Sequence, residues 1–470
     1  RLGFTGRNGR GKTTFLKLLM GELAYSGSIR ASVEFAYFPV PVPDPEQDAL
    51  EIMRLACPSA QDWEMLREVS RLDVDPDALY RPFSTLSQGE QTKVLLAAMF
   101  LEPGRFLLID EPTNHLDLQA RARVGAYLRT KKGFILVSHD RTLLDECADH
   151  ILAINRSEIQ VQQGNFSTWL ENKRRQDEYE LAENARLNQE IGRLNQAARQ
   201  ASNWSDRVEK TKNGTRISGV KADKGYVSHK SAKMMQRAKN QQTRMERAAE
   251  DRSKLLKNIE SADRLKLTPL VYPKNLLVEA EDLRLYYDER PVCPPLRFQL
   301  RRGQRLAVTG KNGSGKSTLL KLICGQEIRH TGRLDLGSGL KISYVSQDTA
   351  GLRGSLTDYA RAWGIDESRL KTILRKLDFS RAQFDKDMTE FSAGQRKKVL
   401  LARSLCQQAH LYIWDEPLNY IDVLSRMQLE DLLLDCRPTM LFVEHDAAFS
   451  GKIATGVLNL DPTPGAAAEP

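Results

Sequence analysis

A chain of 470 residues with 41% hydrophobic content and a mean hydropathy of −0.47 is long enough for two or three domains, each with its own core. Its formal charge is +9 (70 Lys+Arg, 61 Asp+Glu), and residues 191–240 alone carry 12 Lys+Arg against 3 Asp+Glu, so one short stretch holds the whole excess. No apolar run approaches the roughly 18 residues that cross a bilayer, and the six scattered cysteines contain no Cys-x-x-Cys pair, which argues against zinc and iron–sulfur sites and suits a reducing, cytoplasmic setting.

The chain opens on a strand-like Arg1 to Thr5 with no initiator Met. Gly6 to Thr14, GRNGRGKTT, then fits G-x-x-x-x-G-K-[ST] ahead of the helix-like FLKLLM. In this strand–loop–helix setting Gly6, Gly9 and Gly11 let the backbone N–H groups, those around Asn8 and Thr14 included, close on phosphates. Lys12 adds a point charge, and the Thr13 hydroxyl can complete a Mg²⁺ shell. Leu86 to Gln91, LSQGEQ, brings Ser87 and Gly89 just before a predicted helix, KVLLAAMF. Phe106 to Asp117, FLLIDEPTNHLD, is an apolar strand that ends in two adjacent carboxylates. Asp110 is placed to hold Mg²⁺, commonly through water, and Glu111 to polarise an attacking water, since phosphoryl transfer needs positioning and charge neutralisation. A further apolar strand, Gly133 to Val137, ends in Ser138-His139-Asp140. A lone histidine is more often structural, but at a strand end downstream of a P-loop a catalytic role is favoured.

Residues 166–270 resemble neither flank. Leu187, Ile191, Leu194 and Ala198 step by 4, 3 and 4, and Met245, Ala248, Leu255, Ile259 and Ala262 keep the same seam with Arg252 interrupting it. That spacing predicts two antiparallel helices packed as a coiled coil; a helix of about 40 residues reaches roughly 60 Å. Between them a tip over about 203–231 is rich in cations, among them Lys210, Lys212, Arg216, Lys221, Lys224 and Lys230, with Lys233 just beyond. Trp204, Tyr226 and His229 are available there for stacking. Nucleic acid is the expected partner of such a cationic arm, against the blander alternative of a solvated loop.

After the arm the first set of motifs recurs: GKNGSGKST at Gly310 to Thr318, FSAGQ at Phe391 to Gln395, LYIWDEPLNYID at Leu411 to Asp422, and FVEHD at Phe442 to Asp446. The offsets are 304 for Gly6 and Gly310, 305 for Ser87 and Ser392, 305 for Asp110 and Asp415, and 306 for His139 and His445. Four such matches make a tandem duplication. Leu276 to Gln304, 29 residues that include Tyr287, have no first-copy counterpart, so the first copy is expected to be N-terminally short. Tyr287 could stack on adenine or face a core.

The ordered set of P-loop, LSQGE/FSAGQ, IDEPTNHLD/WDEPLNYID and strand-end histidine resembles the nucleotide-binding domains of ABC ATPases, in both halves. The resemblance implies ATP and Mg²⁺ as ligands and two domains facing each other head to tail. One site would then combine Gly6 to Thr14, Asp110, Glu111 and His139 with Ser392 and Gly394. The other would combine Gly310, Asn312, Gly313, Gly315, Lys316, Ser317, Thr318, Gln347, Asp415, Glu416 and His445 with Ser87 and Gly89, and place Tyr287 on the adenine. Thr13, Asp110, Ser317, Gln347 and Asp415 would serve the metal. Two departures stand out: Val40 of YFPV falls where YVSQ has Gln347, and FSAGQ replaces the more usual LSGGQ.

Two such domains joined by a long charged arm resemble the ABC-F family, which acts on ribosomes. DKGYVSHKSAKMMQRAK (Asp223 to Lys239) and WDEPLNYIDV (Trp414 to Val423) carry a likeness to its antibiotic-resistance branch, the ribosome-protection proteins of the lincosamide, streptogramin A and pleuromutilin type. This implies binding near the tRNA exit site, the tip reaching toward the peptidyl-transferase centre, against large-subunit rRNA and tRNA. The expected architecture is α/β: a first ABC ATPase domain over 1–165, a helical arm over 166–270, a second ABC ATPase domain over 271–460 and a disordered tail over 461–470. The chain is expected to be a monomer whose two ATPase domains pair within it. A housekeeping translation factor of the same family and the ATPase subunit of a transporter are the competing readings.

Overall fold

The computed structural model describes residues 1–114, 116–154, 159–214, 236, 239–240, 243–244, 247–248, 265–287 and 289–461, with backbone alone for 197–199 and 201–214. In the first copy short apolar segments and amphipathic ones alternate, which gives β1 (Leu2–Gly6), α1 (Lys12–Leu19), β2 (Glu34–Phe38), α2 (Ala49–Ala56), α3 (Asp62–Arg71) and α4 (Gln88–Met99). There follow β3 (Arg105–Asp110), α5 (Leu118–Arg129), β4 (Phe134–Val137), α6 (Arg141–Cys147), β5 (His150–Ile154) and β6 (Ile159–Gln163). The sheet order is β2-β3-β4-β1-β5-β6, parallel except for β6. Strands covered on both faces must be apolar throughout, and Leu107, Leu108 and Ile109 of β3 are buried accordingly. Because β3, β4 and β1 are neighbours, the carboxylate pair, His139 and the P-loop all leave one edge of the sheet.

Helix α7 (Phe166–Gly214) comes next. It runs past Asn203, where the tip was expected to begin. The chain divides into two units, Leu170–Ser261 on one side and Arg1–Trp169 with Ala262–Pro470 on the other. Within the first of these, Leu187, Ile191 and Leu194 are half-buried while Gly192, Arg193 and Asn195 are exposed, and Lys173–Asp177 and Arg175–Glu171 ion pairs at i,i+4 support the exposed face. The described residues from 236 to 248 are helical. Met245, Leu255, Ile259, Ala262 and the tip from Thr215 to Lys233, Tyr226 and His229 included, lie outside the described residues, as do the side chains of Trp204, Lys210 and Lys212.

The second copy is built from β7 (Leu276–Tyr287), β8 (Arg290–Pro291), β9 (Leu296–Arg301), β10 (Arg305–Thr309), α8 (Lys316–Ile323), β11 (His330–Leu336), β12 (Ile342–Val345), α9 (Leu356–Ala362) and α10 (Glu367–Lys376). It ends with α11 (Ala393–Cys406), β13 (Leu411–Asp415), α12 (Val423–Cys436), β14 (Met440–Val443), α13 (Ala447–Ile453) and β15 (Gly456–Asn459). Its parallel sheet, β12-β13-β14-β10-β15, repeats the first in order and register: Asp415 pairs with Val443 as Asp110 pairs with Val137. A separate antiparallel sheet of β11, β7, β8 and β9 covers one face and closes a core over Leu319, Leu320, Ile413 and Leu441.

Leu276 to Gln304 supplies most of that antiparallel sheet. Residues 26–32, which match β11 by the repeat offset, form no strand, and Tyr25, Ile29 and Val33 are exposed. One expectation needs moving: Leu265 and Leu267, assigned to the arm, are buried in the core of the second copy with Met440 and Trp414. That core leans on Trp414, which is fully buried and donates from Nε1 to Ser404 Oγ at 3.0 Å. Trp414→Ala should lower the unfolding free energy by about 3–5 kcal/mol, the range for emptying a buried aromatic site, as read by denaturant titration; a change under about 1 kcal/mol would contradict this packing.

Candidate functional site

Each P-loop wraps a helix N-terminus. Gly11 and Gly315 cap α1 and α8 from the left-handed region (φ 86° and 87°), and Gly9 and Gly313 (φ 78° and 83°) turn with open space where a side chain would stand. Lys12 Nζ donates to the carbonyls of Gly6 (2.8 Å) and Arg7 (3.2 Å); Lys316 Nζ does the same to Gly310 (2.7 Å) and Lys311 (2.9 Å). Burial pulls both ammonium pKa values down, and the nearby carboxylates pull the other way. The hydroxyl after each lysine reaches the strand-end aspartate: Thr13 Oγ1 donates to Asp110 Oδ2 at 2.8 Å and Ser317 Oγ to Asp415 Oδ1 at 3.1 Å. Tyr37 adds a second donor to Asp110 at 3.0 Å.

The glutamates sit in an unfavourable backbone conformation, Glu111 at φ 52° and Glu416 at φ 46°. Left-handed backbone costs a residue of this type about 1–3 kcal/mol and recurs at working sites; here it turns the carboxylate out of the strand line toward the histidine. His139 Nε2 lies 3.4 Å from Glu111 Oε1 and His445 Nε2 3.4 Å from Glu416 Oε1. His139 is also 3.0 Å from Asn8 Oδ1. Burial, with the charges of Lys12 and Arg426, drives the His139 pKa well below its ordinary value.

The two glutamates differ. Burial, reinforced by Asp110, pushes Glu111 up to about 7. Burial acts on Glu416 too, but hydrogen bonds from His445 and Gln347 outweigh it and hold that carboxyl below its ordinary value. Gln347 Nε2 donates to Glu416 Oε2 at 2.9 Å and Asn419 Nδ2 to the same oxygen at 2.6 Å. Gln347 thus meets the glutamate directly, and Val40 offers no such donor to Glu111.

The two copies meet head to tail. A cavity of about 580 Å³ is lined by Asn8, Gly9, Gly11, Lys12, Thr13, Thr14, Asp110, Glu111 and His139 from the first copy and by Ser392, Gly394, Lys398 and Tyr420 from the second. Asn8 Nδ2 donates across it to the Tyr420 carbonyl at 2.6 Å, and a Cβ at Gly394 would stand 2.8 Å from that oxygen, so only glycine lets the two copies approach this closely. A cavity of about 1020 Å³ is lined by Tyr287, Asn312, Gly313, Gly315, Lys316, Ser317, Thr318, Gln347, Glu416 and His445 together with Gln88, Leu116 and Arg121 of the first copy. Ser87 and Gly89 flank Gln88. Tyr287 lines this cavity and is 76% exposed, so it does not face a core.

Ser87 and Ser392 cap α4 and α11 in capping boxes with Glu90 and Gln395, which makes the two signatures equivalent despite their different sequences. Each helix N-terminus is suited to an anion. Sequence reasoning missed Arg121, Lys398 and Asn419: Arg121 and Lys398 enter their cavities through the domain pairing, whereas Asn419 stands within LYIWDEPLNYID, three residues after Glu416.

The family model described as ABC transporter matches residues 1–114 and 293–419, one match on each copy. The chain is 32% identical over 80% of its length to the ATP-binding protein YdiF of Bacillus subtilis, of which it spans 55%. It is 27% identical over 98% of its length to the energy-dependent translational throttle protein EttA of Escherichia coli, covering 86% of that protein. The chain belongs to the ABC-F family. The ribosome protection protein VmlR of Bacillus subtilis is also similar, at 27% identity over 97% of this chain and 81% of VmlR. In fold, this ABC-F chain is like the archaeal ribosome recycling factor aABCE1, solved with the stalk protein aP1, at TM-score 0.63 and 19% identity, covering 99% of this chain and 83% of that one.

ABC-F proteins hydrolyse ATP, and the residues here fit ATP with Mg²⁺. Asp415 Oδ2 and Glu111 Oε1 are buried without a hydrogen-bond donor among the described residues, as oxygens meant for a cation or a water would be. When bound, Mg²⁺ would neutralise phosphate oxygens. The P-loop N–H groups and lysines would orient the phosphates, the opposing signature would close over them, and each glutamate would hold the attacking water with its histidine alongside. Glu111→Gln with Glu416→Gln should retain ATP binding and lose roughly 10²- to 10⁴-fold in turnover, measured by phosphate release; parental turnover would contradict these roles. Val40→Gln in a Glu416→Gln background should raise the residual turnover about fivefold, one hydrogen bond's worth of about 1 kcal/mol, and no rise would mean that the missing donor does not limit site one.

Proposed function

We propose that this ABC-F ATPase binds the ribosome and that ATP-driven pairing of its two copies sets the arm against large-subunit rRNA and tRNA, from which it displaces antibiotics at the peptidyl-transferase region. In each site the metal falls to Thr13 and Asp110 or to Ser317, Gln347 and Asp415, and the catalytic roles to Glu111 and His139 or to Glu416 and His445. Lys210, Lys212, Arg216, Lys221, Lys224, Lys230 and Lys233 would meet RNA phosphates, with Tyr226 and His229 stacking. The observation that carries this reading is the confinement of the chain's whole +9 excess to residues 191–240. Five of that interval's twelve Lys+Arg, Arg193, Arg199, Arg207, Lys210 and Lys212, fall in the distal part of a 49-residue helix about 73 Å long. The similarity to VmlR, named for ribosome protection, supports it. The protein acts in the cytoplasm on this reading, as a monomer.

A housekeeping role in translation is the second reading, favoured by an equal identity to EttA, a translational throttle protein. A transporter role draws only on the name of the family model; no helix among the described residues is long and apolar enough to cross a membrane.

Added to a translation extract, the full-length protein should restore synthesis blocked by a lincosamide or pleuromutilin but not by a small-subunit inhibitor. Replacing Thr211 to Tyr226 with a short Gly/Ser turn should abolish that rescue and spare ATP hydrolysis. Ribosome binding without rescue from any large-subunit drug would favour the housekeeping role.

A further inference from the structure

The two P-loops differ at two inner positions. The first carries Arg7 and Arg10 where the second, by the repeat offset, carries Lys311 and Ser314. Both arginines reach across to the second copy: Arg7 Nη1 and Arg10 Nη2 each lie 3.6 Å from Asp378 Oδ1. The Arg7 and Asp378 side chains are 8% and 14% exposed, so this charge contact is only weakly screened. Asp378 follows α10 in the left-handed region (φ 61°), with its N–H on the Arg375 carbonyl at 3.0 Å, and its neighbour Phe379 stacks on Phe384. Asp378 and Phe379 both line the cavity of site one.

The pseudo-symmetric residue is Asp73, 305 positions earlier, with the same backbone (φ 59°). Its carboxylate stays in its own copy, 3.7 Å from Arg123, at 69% exposure, and Asp73 does not line site two. The fold therefore repeats the turn but spends its carboxylate differently.

A second ion pair is just as one-sided. Arg141, two residues after His139, donates with both terminal nitrogens to the fully buried Glu430 carboxylate on α12, the helix that follows Tyr420 and Asp422. The repeat offsets put Ala447 and Gly125 at the mirror positions, so no such pair exists behind site two.

We propose that Asp378 is a positioning residue for site one: acting from the opposing copy through Arg7 and Arg10, it fixes that P-loop, and with the Arg141–Glu430 pair it makes site one the slowly exchanging nucleotide site while site two opens and exchanges. This rests on the composite ATP sites and is independent of the ribosome reading.

The test follows release of a fluorescent ATP analogue, loaded with Mg²⁺ on the purified full chain and chased with excess ATP. The parent should release it in two phases of similar amplitude, the slow one at least roughly tenfold slower, the equivalent of about 1.4 kcal/mol. Lys12→Ala should remove the slow phase and Lys316→Ala the fast one. Asp378→Asn, which suits a left-handed backbone and so removes only charge, should speed the slow phase toward the fast; Asp378→Glu should keep it slow and Asp73→Asn should change neither. Arg7→Lys with Arg10→Ser, which writes the site-two residues into site one, should act as Asp378→Asn does and guards against a misfolded Asp378 variant. A single phase in the parent, equal effects of Asp378→Asn and Asp73→Asn, or loss of the slow phase in Lys316→Ala would overturn the proposal. If neither lysine variant loses a phase, the composite-site assignment itself fails and takes the proposal with it.

Discussion

A polyphosphate enclosed between two protein surfaces needs donors from both, and that requirement shapes this molecule more than any single motif does. The P-loop offers N–H groups and a lysine from one copy; the capped N-terminus of α4 or α11 offers another set from the other. The Asn8 to Tyr420 hydrogen bond, with Gly394 packed beneath the same carbonyl, joins the two halves of site one. Neither copy holds a complete site. The tandem duplication thus supplies both halves of each site within one chain, with the arm inserted between the copies in sequence.

Electrostatics then separates two sites that share one ancestry. Glu416 receives Gln347 and Asn419, whereas Val40 offers Glu111 no such donor and burial pushes Glu111 up to about 7. In the same copy Arg7 and Arg10 add cations to the P-loop and are met by Asp378. The site with the weaker support for its glutamate is the one that carries the Arg7–Asp378 and Arg10–Asp378 contacts between the copies. Slow chemistry and slow exchange in one site, with faster exchange in the other, would let a single chain combine a standing link between its copies with a cycle of opening and closing.

Much of this was legible in the sequence. Strand-end carboxylates, P-loops and histidines are short-range features, and the near-constant offset of 304 to 306 fixed the two-domain plan. The head-to-tail pairing came from family resemblance, and the lining of each cavity follows it. What escaped depends on long-range contact: Leu265 and Leu267 look like the end of an arm until they are seen in the core of the second copy, and the end of α7 lies beyond Asn203 because nothing local stops the helix there. Arg141, Glu430 and Asp378 carry no motif. The signal was present only as breaks in the repeat, Arg141 against Ala447, Glu430 against Gly125 and, for Asp378, its partners Arg7 and Arg10 against Lys311 and Ser314, and a duplication read for its matches passes over its mismatches.

The claim on which the rest depends is that each nucleotide is shared between the copies. A structure of the Glu111→Gln, Glu416→Gln protein with ATP and Mg²⁺ tests it most directly. The account predicts one γ-phosphate within hydrogen-bond reach of Lys12 and Ser392 and the other within reach of Lys316 and Ser87. ATP held by the P-loops alone, with Ser392 and Ser87 turned away from the phosphates, would contradict it.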